Sequence, residues 1–312
     1  MTTAIYSHPD CKLHEMGQWH PECPARLQAI EDQLIASRID RFLDHRDASE
    51  ADIADIERVH TANAIARVRE NAQSLSDSEY YPLDADTILN RHSWKAALRA
   101  AGAAVAATDA VIAGEIENAF CAIRPPGHHA RPDEAMGFCL FGNVAIAAKH
   151  ALEVRGLQRV AIVDFDVHHG NGTEEAVRGD ERVLMVSFFQ HPFYPYTEIP
   201  QIPPHNMVNV PVPAYTMGDT VHQLVTEKWM PALHAHRPEM IFISAGFDAH
   251  REDDLGQMGL VEADYAWITQ QVMNVAKQHA QGRIVSCLEG GYNLSALARS
   301  VVAHVRVLAG ID

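Results

Sequence analysis

Long apolar runs are missing from this 312-residue sequence. The richest stretch, Ala100 to Ala113, is interrupted by Gly102, Thr108 and Asp109 and is too short to span a bilayer. The N-terminus, Met-Thr-Thr-Ala-Ile-Tyr-Ser-His-Pro, lacks the basic start and apolar core of a secretory signal. Basic residues are scarce too: 25 Lys and Arg stand against 41 Asp and Glu, a formal charge of −16, which argues against a surface for nucleic-acid phosphates. Such an acidic balance favours solubility, and more weakly a cationic substrate. Five cysteines (Cys11, Cys23, Cys121, Cys139, Cys287) form no Cys-x-x-Cys pair and are odd in number. Cys121 and Cys287 sit in apolar segments, so free buried thiols in a reducing compartment are expected. No Pro/Gly/Ser-rich linker divides the chain and no internal repeat is present. The expectation is one soluble, cytoplasmic domain over residues 1–312, with no membrane or nucleic-acid partner.

What is present is a large apolar fraction, 47%, enough for a sizeable core. Short apolar segments alternate with longer segments of helical period. Strands are predicted at Ala4–Tyr6, Asn118–Ile123, Val160–Phe165, Val183–Phe188, Val208–Val210, Met240–Ser244 and Ile284–Leu288. Helices are predicted at Pro24–Ala36, Thr61–Asn71, Ser93–Ile112, Asn143–Val154, Val221–His236, Ala263–His279 and Leu294–Leu308. This alternation predicts an α/β fold, a mainly parallel sheet with helices on both faces. The segment from His191 to Pro213 holds seven prolines among aromatics and reads as a long ordered loop.

The chemistry-bearing residues gather at predicted strand ends, where open parallel sheets bind ligands. Arg124-Pro-Pro-Gly-His128-His129 places two imidazoles on a stiff turn, and imidazole moves protons near neutral pH. In Asp164-Phe-Asp166-Val-His168-His169-Gly-Asn171-Gly172, strand alternation would aim Asp164, Asp166 and His168 to one side. Two carboxylates and an imidazole aimed together repel or desolvate badly unless a cation joins them. Ser244-Ala-Gly-Phe-Asp248 brings another carboxylate to a strand end, and Glu289-Gly290-Gly291-Tyr292-Asn293 delivers a tyrosine after a sharp turn.

These segments, with His20-Pro-Glu-Cys-Pro-Ala-Arg26, Gly137-Phe-Cys139 and Asn143, run over nearly the whole chain in one order. In that set the chain resembles the zinc-dependent histone deacetylase family of the arginase/deacetylase superfamily. It looks most like class II enzymes, their bacterial deacetylase relatives and acetylpolyamine amidohydrolases. Asn171 and the glutamate before Gly-Gly-Tyr are similar to class II, where class I members typically carry aspartate and glycine.

The resemblance implies one Zn²⁺ per chain held by Asp166, His168 and Asp248, with His129 as general base and acid. It implies that His128 is an electrostatic partner kept charged by Asp164, that Asn171 orients His129, and that Tyr292 donates to the developing oxyanion. It further implies a structural K⁺ held by backbone oxygens of Asp164, Asp166 and His168, the Ser187 hydroxyl and the Phe188 carbonyl. A narrow substrate tunnel would have Phe138 and Phe193 or Tyr194 as walls, with Gly137, Gly290 and Gly291 giving close approach to the acyl group. Leu255, seven residues after Asp248, stands where class II lysine deacetylases have leucine and polyamine-specialised relatives can have glutamate. Glu79 and Asp84 to Asp86 are candidates for the mouth. The implied activity is removal of acetyl groups from Nε-acetyl-lysine in protein or peptide; the alternative substrate is an acetylated polyamine or other small acylated amine. Binuclear arginase-like chemistry would need a carboxylate where this chain has Gly170. A catalytically dead acyl-lysine binder should have lost a ligand, the base or the tyrosine, and none is missing. The sequence leaves oligomeric state open.

Overall fold

The apolar segments build one sheet, and the polar segments beside them add strands and turns that carry no apolar signature. The computed structural model describes residues 2–311. Its strands are β1 (Thr3–Ser7), β2 (Asp44–Asp47), β3 (Tyr81–Pro82), β4 (Ile88–Leu89), β5 (Asn118–Cys121), β6 (Val160–Asp164), β7 (Val183–Gln190), β8 (Met207–Val212), β9 (Met240–Ala245) and β10 (Ile284–Leu288). The α-helices are α1 (Ala25–Ala36), α2 (Ile53–Ile56), α3 (Ala62–Gln73), α4 (Ser93–Ile112), α5 (Asn143–Glu153), α6 (Asn171–Val177), α7 (Gly218–Leu224), α8 (Met230–His236), α9 (Glu262–His279) and α10 (Leu294–Leu308). A π-helical turn, Val225–Trp229, joins α7 to α8.

Eight strands form one wholly parallel sheet in the order β2-β1-β5-β10-β9-β6-β7-β8; β3 and β4 make a small antiparallel pair. The middle strands are buried along their whole length, as expected of a parallel sheet covered on both faces. Pleat alternation divides their side chains. Ile241, Ile243 and Ala245 of β9 join one apolar cluster with residues of α1, α7, α9 and α10. Met240 and Phe242 join the other, with the alanine-rich face of α4 and residues of α5. Alanine there lets the helices approach the sheet closely. No helix among the described residues is long and apolar enough to cross a membrane.

Every predicted strand and helix is present, with ends displaced by a few residues. Strand β2, Asp-His-Arg-Asp, went unpredicted because it is a polar edge strand that pairs only with β1. The predicted helix at Val221–His236 begins at Gly218 and contains the π turn. Helix α6 was hidden because its first residues belong to the motif read as a strand-end loop.

Candidate metal centre and active site

The carboxyl ends of β5, β6, β9 and β10, four neighbouring strands, deliver the site. Strand β6 stops at Asp164, so Asp166 and His168 are not aligned by pleat alternation as the sequence reading had it. Instead each carboxylate catches the backbone two residues on: Asp164 Oδ1 accepts from Asp166 N at 3.1 Å, and Asp166 Oδ1 accepts from His168 N at 2.9 Å. Two successive Asx turns therefore aim the residues. Asp248 arrives from the end of β9, and its Oδ1 accepts from Val167 N at 2.9 Å.

Ligand atoms of Asp166, His168 and Asp248 all lie within 4.8 Å of one another. His168 Nδ1 is 3.1 Å from Asp166 Oδ1 and 3.2 Å from Asp248 Oδ2. That Asp248 oxygen is buried and, apart from its approach to His168 Nδ1, has no hydrogen-bond partner among the described residues. Burial, then the charge of Asp166, pushes Asp248 up to about 7. Two carboxylates and one imidazole with an unspent oxygen suit a divalent cation, and three protein ligands leave a coordination position open. Gly290 makes the packing possible: a Cβ there would stand 2.0 Å from Asp248 Oδ2.

The histidine pair on its stiff turn is buried: His128 is 3% exposed and His129 4%. Their environments differ. His128 Nδ1 lies 3.1 Å from Asp164 Oδ2, and its Nε2 lies 3.7 Å from Asp166 Oδ2. Burial works against its charge, but Asp166 and Asp164 outweigh it and hold the ring well above the usual histidine range. His129 Nδ1 meets Asn171 Oδ1 at 2.8 Å, while the Asn171 amide nitrogen donates to Met136 Sδ at 3.4 Å. The amide thus presents oxygen to His129, which donates from Nδ1 and keeps its lone pair on Nε2. Burial and then repulsion from His128 and His168 hold His129 well below the usual range. One ring is charged and its neighbour neutral, a split suited to acid–base work.

A cavity of about 230 Å³ opens over these groups, lined by His129, His168 and Tyr292 with Gly137, Phe138, Phe193, Tyr194 and Leu255. Phe193 stacks on His168 with ring centroids 5.4 Å apart; Phe138 meets Tyr292 edge-on at 5.7 Å. Gly137, at φ +57°, lies so close that a Cβ would be 2.5 Å from His129 Cδ2. Asp86 and Asp254 also line the cavity, whereas Glu79 is spent on a local bond, accepting from Ser76 N at 2.8 Å. Gly290 and Gly291 do not line it, contrary to the sequence expectation. Gly290 underlies the metal carboxylates and Gly291 packs against Phe247 and Leu297, because β10 ends beneath the site.

Other residues emerge only from the fold. Glu289 is fully buried; its Oε2 accepts from Gly127 N at 2.7 Å and His128 N at 3.0 Å, and its Oε1 from Ser244 Oγ at 3.0 Å. It ties the histidine turn to β9 and β10. Asp253 accepts from Tyr292 N at 2.6 Å, Asn293 N at 2.9 Å and Leu255 N at 3.0 Å, bracing the tyrosine loop against the Leu255 loop. Beneath Tyr292 lies an ion cluster in which buried Glu22 holds Arg26 and Arg124. The Arg26 guanidinium sits 4.9 Å from the Tyr292 ring centroid. Sequence reasoning missed these roles because the contacts join separate segments: Glu289 meets Gly127 162 residues away, Glu22 meets Arg124 102 away, and Asp253 meets Tyr292 39 away.

Fold and site together define an α/β domain with a buried triad fit for a metal, a split histidine pair and a narrow cavity above them. A histone deacetylase domain model matches residues 20–308. A probable deacetylase of Archaeoglobus fulgidus is 35% identical, covering 100% of this chain and 88% of its own. The solved structure of the HDA15 HD domain superposes with a TM-score of 0.92 at 34% identity, covering 99% of this chain and 90% of that one. Type-2 histone deacetylase 2 of Dictyostelium discoideum is 36% identical over 98% of this chain, which spans only 21% of that longer protein. The chain belongs to the histone deacetylase family.

Proposed function

We propose that this chain is a zinc-dependent amidohydrolase that removes acetyl groups from Nε-acetyl-lysine in proteins or peptides. The observation that carries the reading is the triad Asp166, His168 and Asp248 beside a neutral His129 and below Tyr292, at the floor of one apolar-walled cavity. Zn²⁺ held by the triad would polarise the acetyl carbonyl and acidify a water molecule. His129, with Nδ1 committed to Asn171, takes the proton of the attacking water on Nε2. The same proton then passes to the lysine nitrogen as the amide C–N bond breaks, so acetate and a free amine leave and His129 returns to neutral. His128, held charged by Asp166 and Asp164, stabilises negative charge developing beside it. Tyr292 donates its hydroxyl to the carbonyl oxygen as that oxygen gains charge. Phe138, Phe193 and Tyr194 exclude water and grip the lysine methylenes.

A structural K⁺ is proposed at Asp164, Asp166 and His168 with Ser187 and Phe188. Its support is Ser187 Oγ, buried without a hydrogen-bond partner on the strand position in register with Asp164. The proposed compartment is the cytoplasm; all five cysteines are free, four of them buried, which suits reducing conditions.

A second reading, hydrolysis of acetylated polyamines, is favoured by Asp86 and Asp254 at a cavity that no Lys or Arg lines. Leu255, apolar where a second ammonium would pass, favours acetyl-lysine. Comparing kcat/KM for an acetyl-lysine peptide and N-acetylputrescine on zinc-loaded protein decides between them. A preference for the peptide is expected; a preference for N-acetylputrescine would overturn the first reading.

A further inference from the structure

The hydrogen-bond chain that ends at His129 begins at a side chain outside the catalytic cavity. Asn171 Oδ1 meets His129 Nδ1 at 2.8 Å, and Asn171 Nδ2 donates to Met136 Sδ at 3.4 Å. Met136 and Asn171 both line a second cavity, of about 390 Å³, which shares no lining residue with the catalytic one. A tight turn holds Met136 in place. Cys139 N donates to Met136 O at 2.9 Å, and between them Gly137 and Phe138 stand at φ +57° and +68°, as in a type I′ turn. Phe138 N donates to Thr87 Oγ1 at 3.0 Å and anchors that turn. A thioether sulfur accepts weakly and cannot donate, whereas an amide offers oxygen at one end and N–H at the other.

We propose that Met136 is a positioning residue: it fixes which end of the Asn171 amide faces His129, and so which ring nitrogen is free to take a proton, a role that rests on His129 as the base of the proposed deacetylation. Turned half round, the amide would aim N–H at His129 Nδ1 and oxygen at the sulfur. Two acceptors would then face each other at Met136, and the proton of a neutral His129 would have to sit on Nε2. A ring protonated there has no lone pair for the proton of the attacking water. In the observed orientation Nδ1 donates to Asn171 whether the ring is neutral or charged, so the selection holds in both states. Water in the second cavity could not replace the sulfur, because water donates as readily as it accepts and serves either orientation.

Kinetics of zinc-loaded protein on an acetyl-lysine peptide test this. Met136→Leu, similar in volume but without the acceptor, should keep its zinc and its KM and lose about 3- to 10-fold in kcat, the factor that one net hydrogen bond carries. In an Asn171→Asp background both carboxylate oxygens accept and a half turn changes nothing, so Met136→Leu should cost no further activity. The ¹⁵N shifts of the His129 ring, assigned by their absence in His129→Gln, give a readout that needs no turnover. They should place the proton on Nδ1 in wild type and divide it between Nδ1 and Nε2 in Met136→Leu. A wild-type kcat in Met136→Leu, the same fold loss in both backgrounds, or a proton that stays on Nδ1 would overturn the proposal and leave Met136 a packing residue. If the wild type fails to cleave acetyl-lysine, the deacetylase reading falls, and the ring shifts by themselves still decide whether Met136 sets the orientation.

Discussion

Removing the Glu289 carboxylate should separate its support of the histidine turn from any part in the chemistry. Glu289→Ala leaves Gly127 N, His128 N and Ser244 Oγ buried without their acceptor. At about 1–3 kcal/mol per stranded buried donor, the two backbone groups alone cost about 2–6 kcal/mol, and the hydroxyl can turn elsewhere. Glu289→Gln has nearly the same shape. Its carbonyl oxygen can accept from both backbone groups while its amide faces Ser244 Oγ, so the loss at pH 5 should be about 1 kcal/mol or less. The two variants should also differ with pH. Burial raises Glu289 from the ordinary 4.5 to about 7. Between those values the folded protein binds more protons than the unfolded chain, so this group's contribution to stability falls as pH rises through the window, by about 3 kcal/mol in all. Glutamine cannot titrate, so Glu289→Gln should gain on the wild type between pH 5 and pH 8. Urea denaturation of the zinc-loaded proteins at both pH values measures each quantity. A loss under 1 kcal/mol in Glu289→Ala, or equal losses in the Ala and Gln variants, would refute the hydrogen-bond reasoning. An unchanged gap between Gln and wild type from pH 5 to pH 8 would refute the assignment of the raised carboxyl.

Asp248→Ala should bind far less zinc than wild type by elemental analysis, because it deletes one of three ligands; full metal content would remove Asp248 from the centre. His129→Ala should keep its zinc and lose roughly 10²–10⁴-fold in rate, the range for general acid–base catalysis, and a wild-type rate would exclude it as the base. Tyr292→Phe should fold normally, since Asp253 holds that loop by the backbone, and should lose roughly 10²–10³-fold in kcat. A trifluoroacetyl-lysine substrate, with its electron-poor carbonyl, should lose less. Gly137→Ala places a Cβ 2.5 Å from His129 Cδ2 at a φ of +57°, so activity should fall about 10²-fold through displacement of the base, with zinc content unchanged.

Local pattern carried much of this protein. Apolar strands such as Val160-Ala-Ile-Val and Met240-Ile-Phe-Ile announce themselves because burial on both faces requires continuous apolar runs. Gly137-Phe-Cys139 and Glu289-Gly-Gly-Tyr were recognisable for a related reason: backbone close approach and sharp turns restrict which residues can stand there. The candidate site residues, from His128 to Tyr292, could be named before any fold was known, through the family resemblance their motifs carry. What could not be read was how they act on one another. Asp166 and His168 are aimed by hydrogen bonds to backbone two residues on, not by strand alternation, because β6 ends at Asp164. Opposite protonation of adjacent His128 and His129 depends on Asp164, Asp166 and Asn171, over thirty residues away in the chain. Strand β2, polar and at the sheet edge, has no local signal. Sequence alone determined the parallel α/β class and which side chains are candidates for the site, because both rest on short-range motifs. Tertiary structure alone decided their charges, their partners and the space above them, because those depend on burial and on contacts between distant segments.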